Sequence, residues 1–130
     1  MSSDNGRKFD IEDRLLNFAA AVVDIVESLP SARTGNHVAG QLIRCGTSPA
    51  ANYAEAQSAE SRRDFIHKMK ICLKELRESR VWLKLIQRKN LSGTPDKVTQ
   101  AVAECDELIA IFRSSISTAE QNAGKNRATQ

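Results

Sequence analysis

Three sets of residues in this chain have types and spacings that bear on chemistry: its cysteines and histidines, a polar motif within RCGTSPAANYAEA (44–56), and a row of basic residues between positions 63 and 88. A nucleophilic thiol must ionise, so it needs a base or a cation beside it. Cys45, Cys72 and Cys105 instead fall on rows of apolar residues, where they read as reduced core side chains. They are odd in number and far apart, which gives neither a disulfide framework nor a zinc spacing. His37 and His67 stand outside any Cys/His/Asp grouping, and Glu104, Asp106 and Glu107 supply no Glu-x-x-His set for a di-iron site. No glycine-rich phosphate loop is present. The sequence therefore argues against an enzyme, and for no metal and no cofactor.

The polar motif is Arg44, Ser48, Asn52 and Glu55, spaced four, four and three along one face of a helix. Pro49 sits inside it, and a proline there removes the hydrogen bond to the carbonyl of Cys45. Gly46 and Ser48 could end one helix and cap another, which would leave free N–H groups for an anion near Arg44. The row Val38, Leu42, Cys45, Pro49, Asn52 and Ala56 keeps its register through the proline, so one long helix kinked between Gly46 and Pro49 is the favoured reading. Gly46, Ser48, Ala50, Ala51 and Ala54 would then let a neighbouring helix come close, and Asn52 would bond backbone groups that the kink leaves free. Polar residues at helical spacing more often satisfy one another than act on a ligand.

The basic row is Arg63, His67, Lys70, Lys74, Arg77, Lys84 and Arg88, spaced 4, 3, 4, 3, 7 and 4, with only Val81 interrupting it. The formal net charge is +3, but residues 61–90 carry ten Lys or Arg against Asp64, Glu75 and Glu78, whereas residues 10–30 and 91–120 are acidic. At helical rise the row spans about 37 Å and could follow a phosphate backbone. With one Trp, one Tyr and four Phe in the chain, binding would address the backbone of RNA or DNA rather than stack its bases. The competing reading is a protein-interaction scaffold in which acidic helices neutralise the row within or between subunits.

These residues must be positioned by helices. Aromatics are 5% of the chain, and Ala, Leu, Ile, Glu, Lys and Arg are abundant. Ile11, Leu15, Phe18, Val22, Ile25 and Leu29 mark a first helix opened by Asp10 as cap and stopped by Pro30. A second runs from a Thr34 cap to about Gln57. A third, from Arg62 to Lys89, starts with Ser61 and Asp64 as a capping box and carries Phe65, Met69, Cys72, Leu76, Leu83 and Ile86. The last has Thr94 as cap, Pro95 at its first position, and Val98, Ala101, Cys105, Leu108, Phe112 and Ile116 on its face. Short loops make consecutive helices antiparallel, so the expected fold is an all-α, up-down-up-down four-helix bundle over residues 9–120. Residues 1–8 are expected to be disordered and 121–130 mobile. No segment is apolar enough to span a membrane and the N-terminus is no signal peptide, which points to the cytoplasm. Leu16, Val23, Ile71, Val81, Trp82 and Leu85 lie off the main stripes and suggest self-association.

The segment from Phe9 to Ile86, and above all the pattern Arg44, Gly46, Thr47, Ser48, Ala51, Asn52, Glu55 and Ala56, resembles the four helix bundle family of 23S rRNA-intervening-sequence proteins. That resemblance implies an antiparallel four-helix bundle, a homopentameric ring or barrel, and no catalytic residues. Some members are encoded inside intervening sequences of large-subunit ribosomal RNA genes. A related branch, the accessory variability proteins of diversity-generating retroelements, binds nucleic acid and partners a reverse transcriptase.

Overall fold

A computed structural model describes the backbone of residues 3–128 and the side chains of residues 11–124. Four helices follow one another: α1 (Ser3–Glu27), α2 (Arg33–Gln57), α3 (Arg62–Lys89) and α4 (Pro95–Ala128). Each packs on its sequence neighbours and α1 closes onto α4, while α2 and α4 meet across the diagonal through the rings of Tyr53 and Phe112. The contacts run in opposite senses along each pair. Arg14 meets Glu104 while Asp24 meets Lys97; Arg80 meets Asp106 while Lys70 meets Glu120. Glu55 meets Lys68 while His37 meets Trp82. That is the geometry of an antiparallel bundle joined by short loops.

The core is the set of stripes that the periodicity marks. Val22, Ile25, Leu42, Cys45, Cys72, Leu76, Leu83, Cys105, Leu108 and Phe112 are all fully buried. Ser79, the one interruption on the α3 stripe, is buried as well and donates its hydroxyl to the Glu75 carbonyl at 2.8 Å. Burial of a polar group is tolerable there because its hydrogen bond is internal to the helix.

The caps are partly as expected. The Ser61 hydroxyl accepts from the Asp64 N–H at 3.0 Å and starts α3. Asn90 ends it in the left-handed conformation, at φ 52°, with Leu91 N–H returned to the Ile86 carbonyl at 3.0 Å. Thr34 is not the cap of α2. Ala32 holds that place without a side-chain bond, and Thr34 lies inside the helix. The cause is Gly35, whose missing side chain lets it press on Pro30: a Cβ there would sit 1.9 Å from the Pro30 carbonyl oxygen. This contact fixes the turn and starts the helix earlier.

At the outer ends the helices run beyond the apolar stripes. Asp10 is inside α1 and is not its cap, and the backbone of 3–8 and of 121–128 is helical, since no proline stops it. Residues 1–2 and 129–130, the rest of the segments expected to be disordered or mobile, lie outside the described residues. Two turns meet at one end of the bundle. Ser28 Oγ lies 2.9 Å from Ser92 Oγ, Ser92 Oγ accepts from the Thr94 N–H at 2.9 Å, and Gly93 N–H reaches the Ser28 carbonyl at 3.3 Å.

Candidate nucleic-acid interface

The apolar stripe of α3 faces the core, which turns the opposite side of the same helix outward. Arg63, His67, Lys70, Lys74, Arg77, Lys84 and Arg88 are all exposed on that side. Their continuity follows from the spacing of three and four, which returns a side chain to the same face each turn. Lys70 meets Glu120 at 3.8 Å, with both groups about half exposed. The other six make no salt bridge among the described residues. Of the acids on α1 and α4, Asp24, Glu104, Asp106 and Glu107 are engaged elsewhere. Arg14 donates to both carboxylate oxygens of Glu104, at 2.9 and 2.6 Å, and to Glu107 at 2.6 Å; Lys97 takes Asp24 at 2.7 Å, and Arg80, on the α4 side of α3, takes Asp106. The gap in the stripe is Val81, the most exposed large apolar side chain described, at 63%.

The 44–56 motif does not form a single network. α2 passes through Pro49 without interruption, so the stop-and-restart reading, with its free N–H groups near Arg44, does not hold. The buried register Val38, Leu42, Cys45, Pro49 and Ala56 is what keeps the helix whole. Asn52 donates to Ser48, at 2.8 Å to the hydroxyl and 3.1 Å to the carbonyl, rather than to the Cys45 carbonyl that the proline frees. Arg44 turns to Gln41 at 3.0 Å, and Glu55 to Lys68 at 3.4 Å across to α3. Gly46 has the clearest role. A Cβ there would lie 2.8 Å from both methyl carbons of Val22, so α1 crosses α2 at contact distance.

The cysteines are core groups. Burial pushes the thiol of Cys45 up to about 11 and those of Cys72 and Cys105 up to about 12. Cys72 lies 3.5 Å from the Pro49 carbonyl and Cys105 3.1 Å from that of Leu76, both as donors to a neighbouring helix. A thiol so placed is neutral and inaccessible. Tyr53, edge-on to Phe112 at 5.9 Å, is also raised, by burial first and then by the Glu12 carboxylate. His37 packs edge-on against Trp82 at 5.8 Å, and His67 stays on the basic face. Among the described residues no group of three His, Cys, Asp or Glu side chains could hold a metal, and no helix is long and apolar enough to cross a membrane.

One feature had no signal in the periodicity. At the α2–α3 turn an open cleft of about 760 Å³ lies between Ser61, Arg62 and Phe65 and the α4 side chains Ser114, Ser115 and Thr118. It arises because α4 runs past the turn, and it adjoins the Arg63 end of the basic stripe.

Residues 7–114 match the family model of the 23S rRNA-intervening sequence protein. The chain is also similar to a crystal structure from Bacteroides thetaiotaomicron, a protein of unknown function from the S23 ribosomal protein family. The two share 32% identity and superpose with a TM-score of 0.73, over 82% of this chain and 97% of that one. No curated protein matches the chain.

Proposed function

The chain belongs to the 23S rRNA-intervening sequence protein family, and from that premise we propose that it is a non-enzymatic, cytoplasmic, homo-oligomeric protein that holds the sugar–phosphate backbone of RNA or DNA on the outer face of α3. The observation that carries this reading is the set of five exposed Lys and Arg side chains, Arg63, Lys74, Arg77, Lys84 and Arg88, without a salt bridge among the described residues, while the acids of α1 and α4 that do pair are taken up by Arg14, Arg80, Lys97 and Lys70. Cations left in water on one straight face offer phosphates a site whose charge is not already spent within the chain. The face lacks aromatic platforms, so contacts go to phosphate and carry little sequence preference. The homopentamer of the family resemblance would repeat the face five times.

The test is a titration of labelled structured RNA and duplex DNA with the purified protein over a range of salt. Binding that weakens steeply with salt, and that the triple variant K70E/K74E/R77E loses while keeping its helicity, supports the reading. Absence of binding at low salt refutes it and turns the face over to a protein partner.

A further inference from the structure

The cleft of about 760 Å³ at the α2–α3 turn has a lining unlike the basic stripe beside it. Its volume falls among ligand sites, which are on the order of 300–1,000 Å³. Small side chains, Ala56, Ala59 and Ala119, leave the space open, and Phe65 forms one wall. That ring is half-buried: it packs against the core and also lines the cleft. The remaining walls are polar. Elsewhere in the bundle Thr47, Ser79 and Thr99 give their hydroxyls to the carbonyl four residues back. Ser114, Ser115 and Thr118, on the α4 wall, make no hydrogen bond among the described residues, and neither does the Glu60 carboxylate on the turn. Hydroxyls without a helical partner can donate to and accept from whatever enters.

Three properties select the occupant. The cleft is open on one side, so it encloses little of a free small molecule; a group tethered to something already bound gains most from it. The cation in its lining is Arg62, and Arg63, His67 and Lys70 follow along the stripe. Glu60 repels phosphate and accepts from N–H donors. A flat aromatic ring with N–H donors on its edge, carried on a chain of phosphates, satisfies all three. That is an unpaired base of a nucleic-acid strand. Guanine suits the carboxylate best, because its pairing edge sets two N–H donors side by side.

We propose that this cleft takes one unpaired base, guanine by preference, from the RNA or DNA whose phosphates lie on α3. The base stacks on Phe65 and turns its edge to Glu60 and the α4 hydroxyls. The inference rests on the nucleic-acid reading and adds to it a single point at which a base is read rather than the backbone. It also gives the stripe a direction, since the unpaired base sits beside Arg62 and the paired helix runs away from it toward Arg88. The preferred ligand is a duplex interrupted or ended by an unpaired base.

The test compares three labelled DNA duplexes: fully paired, with one bulged guanine, and with a bulged abasic residue in its place. The full-length protein should bind the guanine bulge about 5- to 100-fold more tightly than the other two, the range that stacking on one aromatic ring supplies. Stacking releases no counterions, so the salt slopes of the three probes should run parallel. In S114L/T118L, changed at two exposed positions, leucines fill the cleft; the guanine gain should vanish while the paired duplex binds as before. F65L keeps an apolar side chain against the core but removes the ring, and should lose the gain in the same way. Circular dichroism checks that both variants keep their helicity. Equal affinity for all three probes, or a guanine gain that S114L/T118L retains, overturns the cleft assignment and leaves the stripe standing. Failure of every probe to bind at low salt refutes the stripe reading, and the cleft with it.

Discussion

Replacing Gly46 by alanine tests how closely α1 and α2 are packed. The added Cβ would meet both Val22 methyl carbons at 2.8 Å. Ordinary carbon contacts lie near 3.5–4.0 Å, so the gap must open by about 1 Å. Val22 is fully buried and β-branched in a helix, with about one rotamer open to it, so it cannot swing aside. The strain must move α1, at an overpacking cost of about 1–3 kcal/mol. Alanine returns up to about 1 kcal/mol of helix propensity, which leaves a net loss of about 1–2 kcal/mol. For a chain of this size that is a fall of roughly 4–10 °C in Tm. Gly40 supplies the control. It lies in the same helix with nothing within 4 Å of its would-be Cβ, so Gly40→Ala should stabilise by about 0.5–1 kcal/mol. Both are measured by urea melts at equal protein concentration, since assembly shifts apparent stability. In the double variant G46A/V22A the new methyl occupies space that valine vacates, so the pair should cost less than the sum of the singles. A Gly46→Ala protein as stable as Gly40→Ala, or a strictly additive double variant, would refute the close approach.

Gly35→Ala should be worse than Gly46→Ala, because its Cβ would meet a backbone oxygen at 1.9 Å and no side chain can yield; a chemical melt that ranks it milder contradicts the Pro30–Gly35 contact. The three thiols make stability depend on alkaline pH. Their folded values of about 11 to 12 lie above the ordinary thiol value of 9.0, so their contribution is whole below pH 9 and is lost as pH rises toward 12, by about 1 kcal/mol per thiol per pH unit. Urea melts from pH 8 to 10.5 should show the decline, and a variant with Cys105→Ala should show a shallower one. In the salt titration, the logarithmic slope for duplex DNA should fall by about two when Lys74 and Arg77 are both replaced by alanine. A change in slope near zero would place those cations off the track.

The fold was legible because its signals are repetitive. Six apolar side chains at helical spacing on α3, the Ser61–Asp64 cap and the Pro95 start leave one topology for four short-looped helices. The basic face was equally legible, being the complement of the α3 core stripe. What periodicity did not carry were contacts between elements. That Gly35 presses on a carbonyl five residues back moves the start of α2 ahead of Thr34, and nothing in the local pattern marks such a clash. Asn52 stands on the same face as Arg44 and Glu55, but each found a different partner because Gln41, Ser48 and Lys68 are nearer than the others. The acids that leave the stripe unpaired could be counted in the sequence, yet their choice of Arg14, Arg80 and Lys97 is set by the facing of α1, α3 and α4.

The hydroxyl cluster of Ser28, Ser92 and Thr94 has a consequence for motion. It ties the α1–α2 turn to the α3–α4 turn, so the two helical hairpins are fastened at one end of the bundle. The other end holds the α2–α3 turn and the outer ends of α1 and α4. Such an object opens like tweezers. Amide exchange should be slowest beside the joined turns and quicken along α1 and α4 toward their far ends, and breathing of the core should begin there rather than in the middle of any helix.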